Sequence, residues 1–221
     1  ITTRHEQAAA YMADGYARAS GKPGVCMVVP GPGLLNASAA IGSAFAASSP
    51  ILVVSGQIPK DNIGKDVGVL HEVNDQMVAI QQVTKAAYRM LSPGVVPSTV
   101  HEAFKQLRTG RPRPVEIEIP QDTLGEKEDI ELLEPGDYRR LAAPKDQVDE
   151  AARILAGAKN PVIWAGGGLI SSGGSEALTR IAEHLQAAVH VTHEGKGAID
   201  ERHYLSRGAL KTRTDSLREE L

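Results

Sequence analysis

The sequence of 221 residues is long enough for one large domain or two domains of ordinary size. Its net charge of −3 gives no electrostatic reason to expect nucleic acid or a membrane surface as a partner. Cys26 is the only cysteine, which excludes an internal disulfide and favours a reducing compartment, the cytoplasm. We find no signal-peptide pattern and no apolar run of membrane-spanning length, so we expect a globular protein.

The two ends of the sequence do not resemble natural termini. The chain opens at Ile1 inside a strand-like run and closes in a charged helical segment, residues 215–221. We therefore expect a fragment of a longer polypeptide.

Helix-like and strand-like segments alternate along the first 120 residues. Residues 1–3 are predicted to end a buried strand, and the apolar run 25–29 to form a strand covered on both faces. Apolar spacing, with glycine and proline at the ends, predicts helices at 8–20, 34–47, 74–81 and 96–109 and strands at 50–55, 86–90 and 114–120. This order predicts an α/β fold with a doubly wound parallel sheet, in which 86–90 is an edge strand.

A change of composition divides the chain. Residues 121–144 are dense in charge, contain prolines and lack periodicity, which predicts a linker between a domain at 1–120 and a second, partial α/β domain at 145–221. In the second domain we expect a helix from residue 145, a strand at 160–165, a helix at 175–186 and a strand at 188–192. Residues 209–221 receive no assignment.

The first candidate site residue is Glu6, in the polar cluster Arg4–Gln7 at the start of the first helix. Loops at the ends of parallel strands are where open α/β sheets bind ligands, so Glu6 is a candidate acid or base. The alternative is an ordinary carboxylate at a helix N-terminus, favoured by the helix dipole. On the first interpretation Glu6 lies near Pro32 and Asn36; on the second it is solvated and distant from both.

Two further segments carry candidate residues. The first is the turn 30–33, Pro-Gly-Pro-Gly, whose glycines either let the backbone approach a ligand closely or form a tight turn. Asn36, which follows this turn, is either a helix cap or a ligand contact. The loop 68–76 contains His71 and Glu72, which suggest proton handling or metal binding, while Asp75 is a candidate helix cap. No two histidines have helical metal-ligand spacing, so we predict no metal ligand in this chain.

A third glycine segment, Gly166–Gly168, follows a predicted strand. Glycines between a strand and a helix can cradle a phosphate group, but this run does not match GxGxxG, and a flexible turn is the alternative. A non-catalytic nucleotide-binding or structural module that uses this loop is the alternative function of the chain.

Taken as an ordered set, the motifs resemble the pyrimidine-binding domain of thiamine-diphosphate enzymes of the acetolactate synthase group. The residues that carry the resemblance are Arg4–Arg18, Gly21–Val25, Gly31–Gly33 with Asn36, Ser55–Gln57, Val83–Lys85 and Pro114–Pro120. The second domain resembles the start of that family's Rossmann-like central domain, through Pro161–Gly168 and Gly195–Ile199. The resemblance extends to about residue 208.

The resemblance implies a chemistry and a set of site residues. Glu6 would hydrogen-bond N1′ of the cofactor's aminopyrimidine, and the cofactor would act as an electron sink for a 2-oxo acid in a transferase or lyase reaction. Pro32 and Asn36 would lie against the pyrimidine, with His71 near the reaction centre. His71 replaces the glutamine that acetolactate synthases usually carry there, which indicates a related carboligase or decarboxylase.

The resemblance also implies parts that this sequence lacks. The family binds the diphosphate and Mg²⁺ in a later domain that opens with Gly-Asp-Gly, so the Mg²⁺ ligands are expected outside this chain. The first strand of the pyrimidine domain is expected before Ile1. The second subunit of a homodimer or homotetramer would complete the cofactor site, and FAD in the central domain is a further expectation.

Overall fold

The computed structural model describes residues 1–138 and 141–209. The chain divides into two compact units between residues 140 and 141, inside the segment predicted as a linker. Residues 210–221, the end of the predicted second domain, lie outside the described residues. Among the described residues, no helix has the length and apolar character needed to cross a membrane.

The regular elements of the first unit follow the predicted order. They are α1 (Glu6–Ser20), β1 (Gly24–Val28), α2 (Pro32–Ala46), β2 (Ile51–Gln57), α3 (Gln76–Gln81), β3 (Ala86–Arg89), α4 (Val96–Arg108) and β4 (Val115–Pro120). The strands form one parallel sheet in the order β1-β2-β4-β3. The parallel α/β fold is confirmed, and β3 lies at an edge as predicted.

Alanine allows α1 and α2 to lie close to one face of the sheet. The helices bury alanines at helical spacing; these are Ala10, Ala13 and Ala17 of α1 and Ala37, Ala40 and Ala44 of α2. They form one core with Cys26, Val28, Ile51 and Val53 of the strands. Because alanine has only a methyl group, the backbones of the two helices approach each other at the end of the sheet where both begin.

The opposite face of the sheet is covered only in part. Ala103 and Leu107 of α4 pack with Leu52, Val115 and Ile117. Val25, the register partner of Leu52, is 54% exposed, and Met27 is 75% exposed. The prediction that the apolar run 25–29 is covered on both faces is therefore wrong for β1, because the helix on this face packs over the other strands.

Residues 1–3 are not a strand, and Ile1 is fully exposed. A strand requires hydrogen bonds from a neighbour. Among the described residues, no strand pairs with this segment, which accounts for the wrong prediction.

The first part of the predicted linker packs against the first unit. Glu128 Oε2 accepts a hydrogen bond from the backbone N–H of Gly94 at 2.9 Å. The Tyr138 hydroxyl donates to the backbone carbonyl of His101 in α4 at 3.2 Å. Residues 126–138 thus lack regular structure but are attached to the unit that precedes them.

The described elements of the second unit are α5 (Lys145–Ala156), β5 (Val162–Ala165), α6 (Gly167–Ser171), α7 (Ser175–Leu185), β6 (Ala188–Val191) and β7 (Ser206–Ala209). Its three strands form a parallel sheet in the order β5-β6-β7. Leu178 and Ala182 of α7 pack against Val189 and Val191. The short strand β7 has no predicted counterpart, since its sequence Ser-Arg-Gly-Ala carries no apolar alternation.

Candidate active site

Glu6 is the first residue of α1. His5 caps the helix, because its Nδ1 accepts a hydrogen bond from the backbone N–H of Gln7 at 3.2 Å. This cap sets the helix start at Glu6 and places the carboxylate in the first turn, where the helix dipole favours negative charge.

The turn between β1 and α2 brings two further elements close to Glu6. Gly31 has φ +53°, and a Cβ atom there would lie 2.1 Å from the backbone oxygen of His71. A Cβ at Gly33 would lie 2.3 Å from Val29 Cγ2 and 3.4 Å from Glu6 Oε1. Both glycines are therefore required by close packing, and through them the turn contacts the backbone of the His71 loop.

Asn36 joins the turn to Glu6. Its side-chain Nδ2 donates to Glu6 Oε2 at 3.1 Å. The carboxylate thus lies beside Asn36 and the glycine turn, while the Glu6 side chain stays partly exposed to solvent. Asn36 contacts the carboxylate and is not the N-cap of α2, a position held by Gly31.

Local hydrogen bonds lower the pKa of Glu6. Its own backbone N–H is the largest cause, and the Asn36 side chain is the next. The small desolvation at this partly exposed position acts in the opposite direction and is outweighed. In this chain the effects that favour the carboxylate are therefore the stronger ones.

The loop that carries His71 is held by its neighbour Glu72. The Glu72 carboxylate accepts hydrogen bonds from the backbone N–H groups of Val67, Gly68 and Val69 at 3.3, 2.6 and 3.0 Å. His71 itself has φ +71° and its backbone faces Gly31. These contacts make Glu72 a loop-forming residue, which removes the basis for a His-Glu proton or metal pair.

Asp75 is a helix cap, as one interpretation proposed. Its Oδ1 accepts from the backbone N–H of Val78 at 3.2 Å and begins α3. Across residues 1–138 and 141–209, no group of three or more His, Cys, Asp or Glu side chains could hold a metal ion.

Sequence reasoning missed a buried polar cluster beneath the turn. Gln76, Ser55, Glu116 and Glu118 all have less than 2% of their surface exposed. The signal was present in β4, where Glu116 and Glu118 stand two residues apart and therefore share one face of the strand. Two carboxylates on one face of an interior strand indicate polar partners inside the protein.

The Gly166–Gly168 turn has a different construction. It leads into α6, a helix of five residues. A Cβ at Gly167 would lie 2.8 Å from the backbone oxygen of Glu194, whereas a Cβ at Gly168 would meet no atom within 4 Å. The glycine at 167 thus permits contact between two backbone segments of the second unit.

Comparison with known proteins extends these observations. The family model described as "Thiamine pyrophosphate enzyme, N-terminal TPP binding domain" matches residues 1–80, and the one described as "Thiamine pyrophosphate enzyme, central domain" matches residues 148–221. A solved structure of a thiamin diphosphate-dependent enzyme from Mycobacterium smegmatis matches with a TM-score of 0.80 and 26% identity over 95% of this chain. The fold and the two family matches thus define a protein of the thiamine-diphosphate enzyme class.

Two curated relatives narrow the class. A protein described as an acetolactate synthase large subunit from Methanocaldococcus jannaschii is 41% identical over 95% of the chain. A protein described as the 2-ketoarginine decarboxylase AruI from Pseudomonas aeruginosa is 40% identical over 95% of the chain. This chain belongs to the family of thiamine-pyrophosphate enzymes, whose N-terminal and central domain models together match most of its length.

Coverage of the relatives is partial. The chain spans 36% of the first relative, 37% of the second and 40% of the solved structure. It corresponds to the N-terminal and central domains of such enzymes, which overturns the alternative of a separate non-catalytic module built on Gly166–Gly168.

Proposed function

We propose that this chain is the part of a thiamine-diphosphate-dependent enzyme that supplies Glu6 to the aminopyrimidine ring of the cofactor. The observation that carries the proposal is the hydrogen bond of 3.1 Å from Asn36 to the Glu6 carboxylate, at the glycine turn that ends β1. Family membership supports the cofactor class, and the geometry supports the choice of residues.

The residues present fit an aminopyrimidine. Such a ring has nitrogen atoms and an exocyclic amine that require hydrogen-bonding partners. Glu6 provides a carboxylate and Asn36 an amide, on neighbouring helices. Pro32 is exposed beside them and offers an apolar surface to a ring. His71 is proposed as a further contact, because its backbone lies against Gly31.

The bound cofactor supplies an electron sink for carbon–carbon bond cleavage or formation next to a carbonyl group. The part of this chain is to orient the ring and to hold a proton between Glu6 and the ring nitrogen. Asn36 directs one carboxylate oxygen, and the glycine turn sets the distance between the two helices.

The lowered pKa of Glu6 leads us to propose that another protein surface covers this residue. In this chain the pKa of Glu6 is lowered, so its carboxyl group is ionised at neutral pH. Sharing a proton requires a higher pKa, and removal of water is the effect that raises the pKa of a carboxyl group. We therefore propose that a second subunit of a homodimer or homotetramer covers Glu6.

The surface near the site supports a protein partner. Met12 of α1 and Leu35 of α2 are 44% and 43% exposed, on the two helices that carry Glu6 and Asn36. Exposed apolar side chains on the helices that carry the site are compatible with a surface that another protein covers.

For the whole enzyme we propose a transferase or lyase reaction on a 2-oxo acid, by carboligation or decarboxylation. The names of the two relatives support this class. His71, in place of the usual glutamine, favours a decarboxylase or a carboligase other than a strict acetolactate synthase. Mg²⁺ and the diphosphate group would be bound by segments outside this chain. FAD binding and the cytoplasmic location stay predictions.

Glu6→Gln in the full-length protein tests the proposal. Glutamine keeps the shape of the side chain but cannot share a proton in the same way. Hydrogen–deuterium exchange at C2 of the bound cofactor, followed by NMR, should slow by ~10²–10⁴. Near-normal exchange in Glu6→Gln would contradict the assignment.

Glu176→Gln is the matched control. Glu176 is also an acidic residue in the first turn of a helix, α7, where it pairs with Arg180 at 2.9 Å. If Glu6 were only a carboxylate favoured by a helix dipole, both variants would leave C2 exchange unchanged. The proposal requires that only Glu6→Gln slows it.

A second experiment tests the proposed partner. The 221-residue chain alone should bind thiamine diphosphate weakly, because it holds only the pyrimidine side of the site. Calorimetry that shows micromolar affinity for this chain in the presence of magnesium would contradict a divided site.

A further inference from the structure

Gln76 connects the glycine turn to the interior of the sheet. It is the first residue of α3 and is fully buried. Its Oε1 accepts from the backbone N–H of Gly31 at 2.8 Å. Its Nε2 donates to the backbone oxygen of Gly56 at 2.8 Å and to Glu118 Oε2 at 2.7 Å, and it lies 3.2 Å from Ser55 Oγ. One side chain thus satisfies groups on three different segments.

The hydrogen bonds run in one direction, from the turn to the carboxyl groups of Glu118 and Glu116. Gly31 donates to Gln76, Gln76 donates to Ser55 and Glu118, and the Ser55 hydroxyl donates to Glu116 Oε1 at 2.6 Å. Hydrogen bonds aligned in this way strengthen one another in a low-dielectric interior. The chain of donors therefore fixes which amide atom of Gln76 faces Gly31.

An ion pair holds the far end of the cluster. The Arg89 guanidinium donates to the Glu118 carboxylate and lies 3.3 Å from Asp75 Oδ1, the residue that caps α3. Arg89 thus neutralises one buried carboxylate and connects it to the start of the helix that carries Gln76. This arrangement leaves Gln76 little freedom to change its rotamer.

Gly31 is the position at which this rigidity acts on the site. It caps α2 with a backbone conformation available to glycine, and its α-carbon packs against the His71 carbonyl. Pro32 follows directly, and Asn36 lies one helical turn further on. A rotation of the Gly31 backbone would therefore move Asn36 relative to Glu6.

We propose that Gln76 is a positioning residue that holds the Gly31 turn, and through it Pro32 and Asn36, in register with Glu6 and the cofactor ring. The inference rests on the proposed function. Gln76 does not touch the cofactor itself, because both ends of its amide are bound inside the protein.

The first test uses the full-length protein without cofactor. Gln76→Met keeps the length of the side chain and removes both hydrogen-bonding ends. Gln81→Met makes the same change at an exposed position of the same helix. Hydrogen-exchange mass spectrometry should show loss of protection in residues 29–36 for Gln76→Met only. Equal protection of this segment in the two variants would overturn the proposal.

The second test separates positioning from loss of structure. At saturating thiamine diphosphate, C2 exchange in Gln76→Met should slow about 10²-fold, the cost expected when reacting groups are misplaced by about 1 Å. The Kd of the cofactor should change less than about threefold, because the diphosphate group is bound elsewhere. If the Kd rises as much as the exchange slows, Gln76 has a structural role only and the proposal fails.

A comparison of Glu6→Gln with Gln76→Met separates the two proposals. If Glu6→Gln keeps normal C2 exchange while Gln76→Met still loses protection in residues 29–36, the proposed function is overturned. The conclusion that Gln76 fixes the Gly31 turn is then retained.

Discussion

The two units each contain a glycine turn that connects a parallel strand to a helix, and the two turns are built for different purposes. At the first, between β1 and α2, Glu6, Asn36 and the His71 backbone converge, and Gln76 holds the turn from below. At the second, between β5 and α6, Gly167 packs against the Glu194 backbone. The two turns have similar glycine-rich sequences. The groups that surround a glycine turn therefore distinguish a candidate binding site from a turn that only connects a strand to a helix.

The turns also differ in the backbone conformation of their first glycine and in the space beside it. Gly31 has φ +53°, a conformation that side chains disfavour, and it has no space for a Cβ atom. Gly166 has an extended backbone with φ −106°, and a Cβ there would meet only Thr192 Oγ1, at an ordinary 3.9 Å. Of these two turns, only the one that carries the candidate site needs a positive φ at its first glycine.

The largest expected effect is that of Gly31→Ala. The substitution combines a disfavoured backbone conformation with a Cβ placed 2.1 Å from the His71 carbonyl oxygen, and should destabilise the first unit by about 3 kcal/mol. Gly168→Ala, in a helix with free space, should stabilise the second unit by ~0.5–1 kcal/mol. An equal response to the two changes would remove the distinction between the turns.

Cys26 provides the measurement for the first unit. Burial raises the pKa of its thiol to about 11, so it reacts with an alkylating reagent only when the unit opens. A loss of about 3 kcal/mol corresponds to roughly 10²-fold faster labelling of the Cys26 peptide in Gly31→Ala. Labelling in Gly168→Ala should match the wild type.

The next largest effect is on the pH dependence of stability and concerns Glu116, the last acceptor in the hydrogen-bond chain that begins at Gly31. Burial is the largest cause that raises its pKa, to about 8. Between the ordinary value of 4.5 and about 8, the folded state binds a proton that the unfolded state has released. The free energy of unfolding should therefore fall as pH rises through this window, by about 1 kcal/mol per pH unit.

Glu116→Gln should remove this dependence. We expect the urea midpoint of the first unit, followed by hydrogen exchange in β4, to vary less between pH 5 and pH 8 in this variant than in the wild type. Glu131→Gln, an exposed change in the same unit, is the control. The same pH dependence of the midpoint in the wild type and in Glu116→Gln would contradict the raised pKa of Glu116.

Much of the fold was predictable from the sequence, because helical spacing in α1 and α4 and the apolar run in β2 report which side chains are buried. The failures occurred where a pattern does not specify its partner. The run 25–29 is apolar on both sides, yet Met27 is exposed because the covering helix lies over other strands. The alternation in β4 suggests one solvated face, yet Glu116 and Glu118 are buried.

For the site, sequence identified Glu6, Asn36 and the glycine turn, since all three lie next to an element boundary. It could not identify Gln76, because a glutamine in the first turn of a short helix has no distinguishing pattern. Its role depends on contacts with Gly31 and Glu118, which are 45 and 42 residues away. Such long-range polar pairing is set by the tertiary fold.

A smaller effect is expected at the second turn. Gly167→Ala places a Cβ 2.8 Å from the Glu194 backbone oxygen and should cost about 1–2 kcal/mol, seen as faster hydrogen exchange in β6. Gly168→Ala is again the control. C2 exchange of the cofactor should be unaffected by either change. A selective loss of C2 exchange in Gly167→Ala would give the second turn a part in catalysis and weaken the contrast.

The smallest effect tests the contact on which the contrast depends. Asn36→Ala removes one of the hydrogen bonds that lower the pKa of Glu6, so this pKa should rise towards its ordinary value. It should stay lowered, because the larger cause, the backbone N–H of Glu6, remains. NMR titration of ¹³C-labelled glutamate carboxyl groups in the full-length protein measures the change, with Asn62→Ala as the same substitution away from the site.

An unchanged Glu6 titration in Asn36→Ala would mean that Asn36 does not donate to the carboxylate in solution. Glu6 would then be a helix-start carboxylate like Glu176, and the first turn would lose the side-chain contact that distinguishes it as a site. A rise confined to Asn36→Ala supports the opposite conclusion. In that case the two helices that meet at the glycine turn act as one hydrogen-bonding surface, and the turn keeps the two side chains within reach of each other.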